Sequence, residues 1–151
     1  GVLNGDESYV CNGVLHVGDH DIHCSNRDGH GTQSLKVALE NSCNVALMQI
    51  GSAIGKEQFV RYQQLFGFGQ STGIDLPGEA TGILHTEESL SSGSTELASA
   101  SFGQGYTCTM IQEIAAICSV INGGYYYQPH LVTRIKDSGG GIVKTISPTL
   151  M

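Results

Sequence analysis

The segment Asn41-Ser42-Cys43-Asn44 places a hydroxyl, a thiol and a carboxamide on three consecutive residues just before an apolar run. A serine hydroxyl can donate and accept a proton, and an asparagine amide offers both a donor and an acceptor. Serine alone is a weak nucleophile, because its hydroxyl needs a positioned base at neutral pH. The structural alternative is a helix start, in which Ser42 is the N-cap and accepts from the amide of residue 44 or 45.

A second group of chemically capable side chains lies near the amino terminus: Cys11, His16, His20, His23 and Cys24. Zinc sites usually contain closely spaced Cys or His pairs, and only His16 and His20 have that spacing. Successive residues of a strand face opposite sides, so His23 and Cys24 are poorly placed to bind one ion. We therefore predict no metal and no cofactor, and interpret the histidines as solvated hairpin residues.

The composition excludes several functions. The 151 residues carry a net charge of -7, which leaves no basic face for nucleic acid, so no nucleic-acid partner is expected. No glycine-rich segment has the spacing of a phosphate-binding loop. No apolar run approaches the roughly 20 residues that span a bilayer, and the amino terminus lacks a signal-peptide pattern. Because the chain begins with Gly1, we expect a processed product or an excised piece.

Apolar periodicity predicts helices over residues 33–40, 42–54, 56–66 and 96–101, and a last helix between Thr109 and Gly123. Thr32 is expected to cap the first helix. The last helix has the clearest signal, because Thr109 and Gln112 form a capping-box pattern. Its predicted buried stripe consists of Ile111, Ile114, Ala115, Cys118 and Ile121.

Short β-favouring runs predict hairpins at both ends, over residues 14–24 and 130–147. Residues 70–94 are rich in turn-forming residues, and an irregular stretch of that length is often functional. The absence of β-α-β alternation argues against a parallel sheet. The predicted fold class is mainly α within α+β, with a hairpin region (1–31), a helical body (32–124) and a C-terminal hairpin (125–151).

Four segments, in order from about Tyr9 to Ser147, resemble the transpeptidase domain of class B penicillin-binding proteins. They read GHGTQSLKVALENSCNVALMQIGSAIGKEQF, FGFGQSTGIDLPGEATGIL, LASASFGQGYTCTMIQEIAAICSVINGG and PHLVTRIKDSGGGIVKT. The family has three active-site motifs: Ser-x-x-Lys, Ser-x-Asn and Lys-Thr-Gly. Ser42-Cys43-Asn44 matches the second motif.

The other two motifs have no match here. No serine is followed by lysine three residues later, since Lys36 follows Ser34 at two and Lys56 follows Ser52 at four. Lys144-Thr145 is followed by isoleucine, whose side chain would obstruct the close approach that glycine permits. The resemblance therefore implies an internal, mostly helical part of a transpeptidase domain, with small hairpins and without most of the central sheet.

The resemblance implies a parent that cross-links peptidoglycan stem peptides by serine acyl transfer and is trapped by β-lactams. Ser42 would relay a proton, and Asn44 would bind the substrate amide and the catalytic lysine. The parent would lie on the outer face of the bacterial cell membrane, held by an N-terminal helix, with membrane proteins of cell-wall synthesis as partners. The isolated chain would be inactive, and its uncovered helical face would favour a homodimer. The alternatives are a non-catalytic penicillin sensor or scaffold, and a metal-binding module.

Cys43 has two interpretations under this resemblance. In an oxidising compartment it would form a disulfide with Cys24 or Cys11, which would clamp the hairpin over the site as a redox switch. The alternative is a buried free thiol, because cysteine is often buried unpaired. A count of free thiols without reductant distinguishes the two.

Overall fold

A computed structural model of the chain describes residues 3–91 and 94–151 and shows a mixed α+β fold. The strands are β1 (Ser8–Cys11), β2 (Val14–Val17), β3 (His20–His23), β4 (Gly31–Ser34), β5 (Arg134–Lys136) and β6 (Ile142–Thr145). The helices are α1 (Leu35–Glu40), α2 (Asn44–Ile54), α3 (Lys56–Leu65), α4 (Ser94–Ser101) and α5 (Met110–Ile121), with a 3₁₀ turn at Ser89–Ser91. None of the helices in the described part of the chain has the length and apolarity to cross a membrane.

The chain divides into two compact units, Gly1–Arg61 with His85–Tyr106 and Tyr62–Leu84 with Thr107–Met151. In the first unit, β2 and β3 pair antiparallel around a two-residue turn, which confirms the predicted first hairpin. A second antiparallel pair, β1 with β4, aligns Tyr9 with Gln33 and Cys11 with Gly31. The prediction that Thr32 caps α1 is wrong, because Thr32 lies in β4 and the Ser34 hydroxyl accepts from the Val37 amide at 3.4 Å.

Helix α2 is the central element of the first unit and packs against α4. A Cβ atom added at Gly51 would lie 1.8 Å from the Ser101 Oγ, so the close approach of the two helices requires glycine there. The surrounding buried residues form one hydrophobic core: Tyr9, Cys11, Cys24, Ala38, Cys43, Val45, Ala46, Met48 and Ala98. Three of its nine members are cysteines, so the thiols predicted near the site belong to this core.

Helix α5 organises the second unit. Its Thr109–Gln112 capping box is present, which confirms the prediction for this helix start. The Gln112 side chain is fully buried and donates to the carbonyls of Gln70 at 2.6 Å and Thr81 at 2.9 Å. Gln112 thereby holds both ends of the irregular segment 70–81. The predicted C-terminal hairpin is also confirmed, with β5 and β6 antiparallel.

The predicted buried stripe of α5 is largely wrong. Of the five residues, only Ala115 is buried, while Ile114, Cys118 and Ile121 are exposed and Ile111 is half-buried. The face that packs within the unit consists of small and polar residues: Gln112, Ala115, Ala116 and Ser119. The buried face of α5 is the face that carries Gln112 and its hydrogen bonds, not the most hydrophobic face of the helix. An apolar stripe therefore remains on the surface, formed by Met110, Ile114, Ile117 and Ile121.

The Glu79 carboxylate closes the irregular loop of the second unit. It accepts from the Thr72 amide at 2.7 Å, the Gly73 amide at 3.1 Å and the hydroxyls of Ser71 and Thr72. The Ser71 and Thr72 hydroxyls, with smaller contributions from the amides, lower the pKa of Glu79 from 4.5 to about 2. This loop is therefore held by an ionised carboxylate.

We expect Glu79→Gln to remove a pH-dependent part of the stability. Because the folded-state pKa lies below the unfolded value, ionised Glu79 stabilises the fold fully above pH 4.5, and this stabilisation is lost as the pH falls toward 2. Urea unfolding between these pH values should show a shallower decline for Glu79→Gln than for the wild type. Glu88→Gln, at an exposed glutamate, is the matched control, and an equal slope in all three proteins would contradict this account.

Candidate active site

Ser42 lies at the junction of α1 and α2 in a left-handed backbone conformation, with φ of 47°. The Ser42 amide donates to the Leu39 carbonyl at 3.0 Å, and the Cys43 amide donates to the Ala38 carbonyl at 3.0 Å. These two bonds define a Schellman motif, which ends α1 with a left-handed residue that is usually glycine. Ser42 is the only non-glycine residue with positive φ in the described ranges, 3–91 and 94–151.

The prediction that Ser42 caps α2 is wrong. The N-cap is Cys43, whose sulfur accepts from the Ala46 amide at 3.5 Å. The Ser42 side chain is exposed, and no other described residue is hydrogen-bonded to its hydroxyl. A left-handed conformation costs a residue with a Cβ atom roughly 1–2 kcal/mol. Ser42 therefore bears a conformational cost that no hydrogen bond of its side chain offsets, a pattern that is common at functional sites.

Asn44 occupies the first turn of α2 and is half-buried. Its side-chain Nδ2 donates to the His23 carbonyl at 3.3 Å, at the end of β3. This bond ties the motif to the first hairpin and fixes the direction of the carboxamide. The structure thus places Ser42 at the α1–α2 junction and attaches Asn44, two residues later, to the first hairpin.

Three features of the backbone bring Cys11, Cys24 and Cys43 close together. The β1–β4 register places Cys11 opposite Gly31, next in sequence to His30. The Cys24 amide donates to the Gly13 carbonyl at 2.9 Å, which brings Cys24 back toward Cys11. The Schellman turn then carries Cys43 into the same core.

The result is a cluster of four side chains: Cys11, Cys24, His30 and Cys43. The cysteine Sγ atoms and a ring nitrogen of the histidine all lie within 4.8 Å of one another. The Cys24 Sγ lies 3.9 Å from the Cys43 Sγ and 3.6 Å from the His30 Nδ1. The three thiols are buried and form no disulfide with one another, and His30 is half-buried. We name these four residues the thiol cluster.

The two central thiols differ in acidity. Burial raises the pKa of Cys24, but hydrogen bonds from the backbone amides of Asn26, Val45 and Asn44 outweigh it and lower the pKa to about 6. Burial raises the pKa of the Cys43 thiol to about 11. Cys24 is therefore the more acidic of the two thiols.

Sequence reasoning identified the three cysteines but not their histidine. His16 is exposed and bonded to Asp21 at 2.8 Å, and His20 and His23 are exposed on the hairpin. His30 was overlooked because it follows Cys24 across a turn rather than along a strand. The signal was present, since Asn26 starts that turn, and its side chain donates to the Gly29 carbonyl at 2.8 Å.

The fold and the motif together define a class of protein. Residues 1–150 match the Transpeptidase family, described as the penicillin binding protein transpeptidase domain. The chain belongs to this family, which confirms the resemblance of its four segments to the transpeptidase domain of class B penicillin-binding proteins. Its relatives in this family include proteins named penicillin-binding proteins and peptidoglycan D,D-transpeptidases.

Individual relatives agree with this assignment. Stage V sporulation protein D of Bacillus subtilis (strain 168) is 41% identical over 135 residues, which are 89% of this chain and 20% of that protein. The peptidoglycan D,D-transpeptidase MrdA of Acinetobacter baumannii is 32% identical over 130 residues, 80% of this chain and 19% of that protein. The chain thus spans about a fifth of the length of these relatives.

A solved structure shows the same fold. The D,D-transpeptidase domain of a peptidoglycan glycosyltransferase from Eggerthella lenta superposes with a TM-score of 0.90 at 24% identity. The superposition covers 99% of this chain and 39% of that chain. This chain therefore shares the fold of part of that transpeptidase domain.

Proposed function

We propose that this chain supplies the Ser-x-Asn motif of a serine-type peptidoglycan D,D-transpeptidase and acts only within the complete enzyme. The observation that carries the proposal is Ser42, which lies exposed in a left-handed conformation that normally selects glycine. Serine at this position bears a conformational cost that glycine would not, and a role of its hydroxyl in the reaction explains this cost. Family membership supports the reaction class.

In this mechanism the nucleophilic serine and the base lysine come from the Ser-x-x-Lys motif elsewhere in the enzyme. The serine attacks the penultimate D-Ala carbonyl of a stem peptide, the terminal D-Ala leaves, and the acyl group passes to the amine of a second stem. The Ser42 hydroxyl relays a proton between the lysine and the leaving group, since it donates and accepts at once. The Asn44 oxygen accepts from the lysine, and its Nδ2 binds the substrate amide carbonyl.

In the structure, Asn44 Nδ2 already has a partner, the His23 carbonyl, at 3.3 Å. A carboxamide nitrogen carries two N–H groups, so one can remain on His23 while the other binds substrate. The hairpin thus orients Asn44 and leaves one N–H of its carboxamide available for substrate.

We expect a fluorescent penicillin to label the complete protein covalently and to leave the isolated 151-residue chain unlabelled. The physical reason is that no Ser-x-x-Lys sequence occurs in these residues, so no serine here has the base it needs. Gel fluorescence after denaturation measures the label. Labelling of the isolated chain at any serine would contradict the proposal that the nucleophile lies elsewhere in the enzyme. An unlabelled complete protein would favour a non-catalytic homologue.

The apolar stripe on α5 supports the proposal that these residues are part of a larger fold. Met110 is 81% exposed and Ile121 78% exposed, and Ile114 and Ile117 lie between them on the same helix face. We propose that the central sheet of the enzyme covers this face, and that the isolated chain dimerises through it. Sedimentation of the isolated chain as a monomer would argue against that dimer.

The cellular context is proposed from the same family relation. We propose that the complete enzyme lies on the outer face of the bacterial cell membrane, where an N-terminal helix anchors it. Its proposed partners are membrane proteins of cell-wall synthesis. Stem peptides are its substrates and β-lactams its inhibitors. The family named for penicillin binding supports the inhibitor class.

A further inference from the structure

We propose that Cys11, Cys24, His30 and Cys43 form a structural zinc site that fixes the Ser-x-Asn motif. The inference goes beyond the transpeptidase function and does not depend on it, since the metal content can be measured without any activity. It reverses the expectation of no metal, which rested on the close sequence spacing of Cys and His pairs in zinc sites and did not include His30 or Cys43.

The distances fit a tetrahedral metal. Zinc binds sulfur at about 2.3 Å and histidine nitrogen at about 2.0–2.1 Å in four-coordinate structural sites. Tetrahedral angles then place two sulfurs about 3.8 Å apart, and a sulfur and a nitrogen about 3.6 Å apart. The observed separations are 3.9 Å for Cys24 Sγ to Cys43 Sγ and 3.6 Å for Cys24 Sγ to His30 Nδ1.

The four residues form a complete ligand set. Three thiolates and one imidazole are a ligand combination found in closed structural zinc sites, whereas catalytic sites leave one position open. Buried cysteines alone would be explained as small hydrophobic residues. That explanation does not account for the half-buried His30, whose Nδ1 faces the Cys24 sulfur within the same cluster.

The backbone around the cluster is arranged for sulfur ligands. The Ala46 amide donates to the Cys43 sulfur at 3.5 Å, so this sulfur already has an outer hydrogen bond from the backbone. Such outer contacts orient metal ligands and are part of a metal site's design. Zinc binding would release the thiol protons to solvent, because cysteine coordinates as the thiolate.

The site would act on the motif through Cys43, which is the middle residue of Ser42-Cys43-Asn44. A zinc–sulfur bond at Cys43 joins the α1–α2 junction to β1 and to the turn before β4. The left-handed conformation of Ser42 and the direction of Asn44 would then be fixed by a metal rather than by packing alone. A disulfide between Cys24 and Cys43 would use two of the same sulfurs, so the bridge and the zinc site exclude each other.

The test is to purify the complete protein with reductant and without chelator, and to measure zinc by atomic emission. We expect about one zinc ion per chain. Replacement by Co²⁺ should give visible bands of tetrahedral cobalt and a thiolate-to-cobalt charge-transfer band. This wild-type spectrum does not depend on whether a variant folds.

Two variants and two matched controls test the ligand assignment. Cys11→Ser and His30→Gln should weaken zinc binding by about 100-fold or more, beyond the 10–100-fold usual for outer partners. Cys118→Ser and His16→Gln, at exposed positions outside the cluster, should retain full zinc. A folded wild-type protein without zinc and without the cobalt spectrum overturns the proposal, as does a purified protein whose Cys24 and Cys43 are joined by a disulfide. Equal zinc loss in the control variants also overturns it.

Discussion

Ser42→Ala in the complete enzyme is expected to lower the rate of acylation by a β-lactam by about 100-fold or more, the usual effect of losing a positioned proton-transfer group. Stability should change by less than about 0.5 kcal/mol, as is usual for an exposed position. Alanine keeps the Cβ atom and therefore keeps the cost of the left-handed conformation. Stopped-flow acylation and urea unfolding measure the two effects.

Ser42→Gly is the matched control for the backbone. It also removes the hydroxyl, but it relieves a left-handed strain of roughly 1–2 kcal/mol at an entropic cost of roughly 0.5–1 kcal/mol. We expect a protein slightly more stable than the wild type and as slow as Ser42→Ala. Wild-type acylation in either variant would reduce Ser42 to a structural turn residue, and a destabilised Ser42→Gly would show that the strain argument is wrong.

Gly29→Ala is expected to lower the stability of the fold strongly. Gly29 has φ of 86°, and a Cβ atom there would lie 2.3 Å from the Cys11 carbonyl oxygen and 2.8 Å from the Asn12 Cα. These neighbours are backbone atoms, so the clash is relieved only if β1 moves away from the turn before His30. We expect a loss of about 3 kcal/mol, at the upper end of the usual range for one substitution. Urea unfolding of the complete protein measures it.

Gly31→Ala separates the clash from the strain. Gly31 also has positive φ, at 67°, but a Cβ atom there meets nothing within 4 Å. Its replacement should therefore cost only the left-handed strain, about 1 kcal/mol. Equal losses at both glycines would mean that the contact between the turn and β1 is unimportant to the fold.

The elements that sequence predicts well are those that local chemistry determines. The capping box at Thr109 and Gln112 and the turn at Gly18-Asp19 each specify a structure within a few residues. The pairing of β1 with β4 joins residues that are 20 to 26 positions apart, and it has no local signal. The sequence therefore predicts a helix cap at Thr32, although this residue lies in β4.

The candidate site was predictable in its residues and not in its geometry. Ser42 and Asn44 were identifiable only from the ordered family resemblance, because two polar residues before an apolar run equally suggest a helix cap. Neither periodicity nor propensity predicts the left-handed conformation of Ser42, which arises where α1 ends in a Schellman motif. His30 joins the cysteines through strand pairing and a turn, contacts that linear spacing does not reveal.

The most direct test of the central claim is a crystal structure of the complete protein acylated by a β-lactam. We expect the Ser42 Oγ to lie within about 2.6–3.2 Å of the lysine of the Ser-x-x-Lys motif, the reach required for proton transfer. We also expect Asn44 to face the amide of the bound acyl group. A Ser42 hydroxyl turned away from the acylated serine, with no hydrogen bond to that lysine, would contradict the proposed role of Ser42.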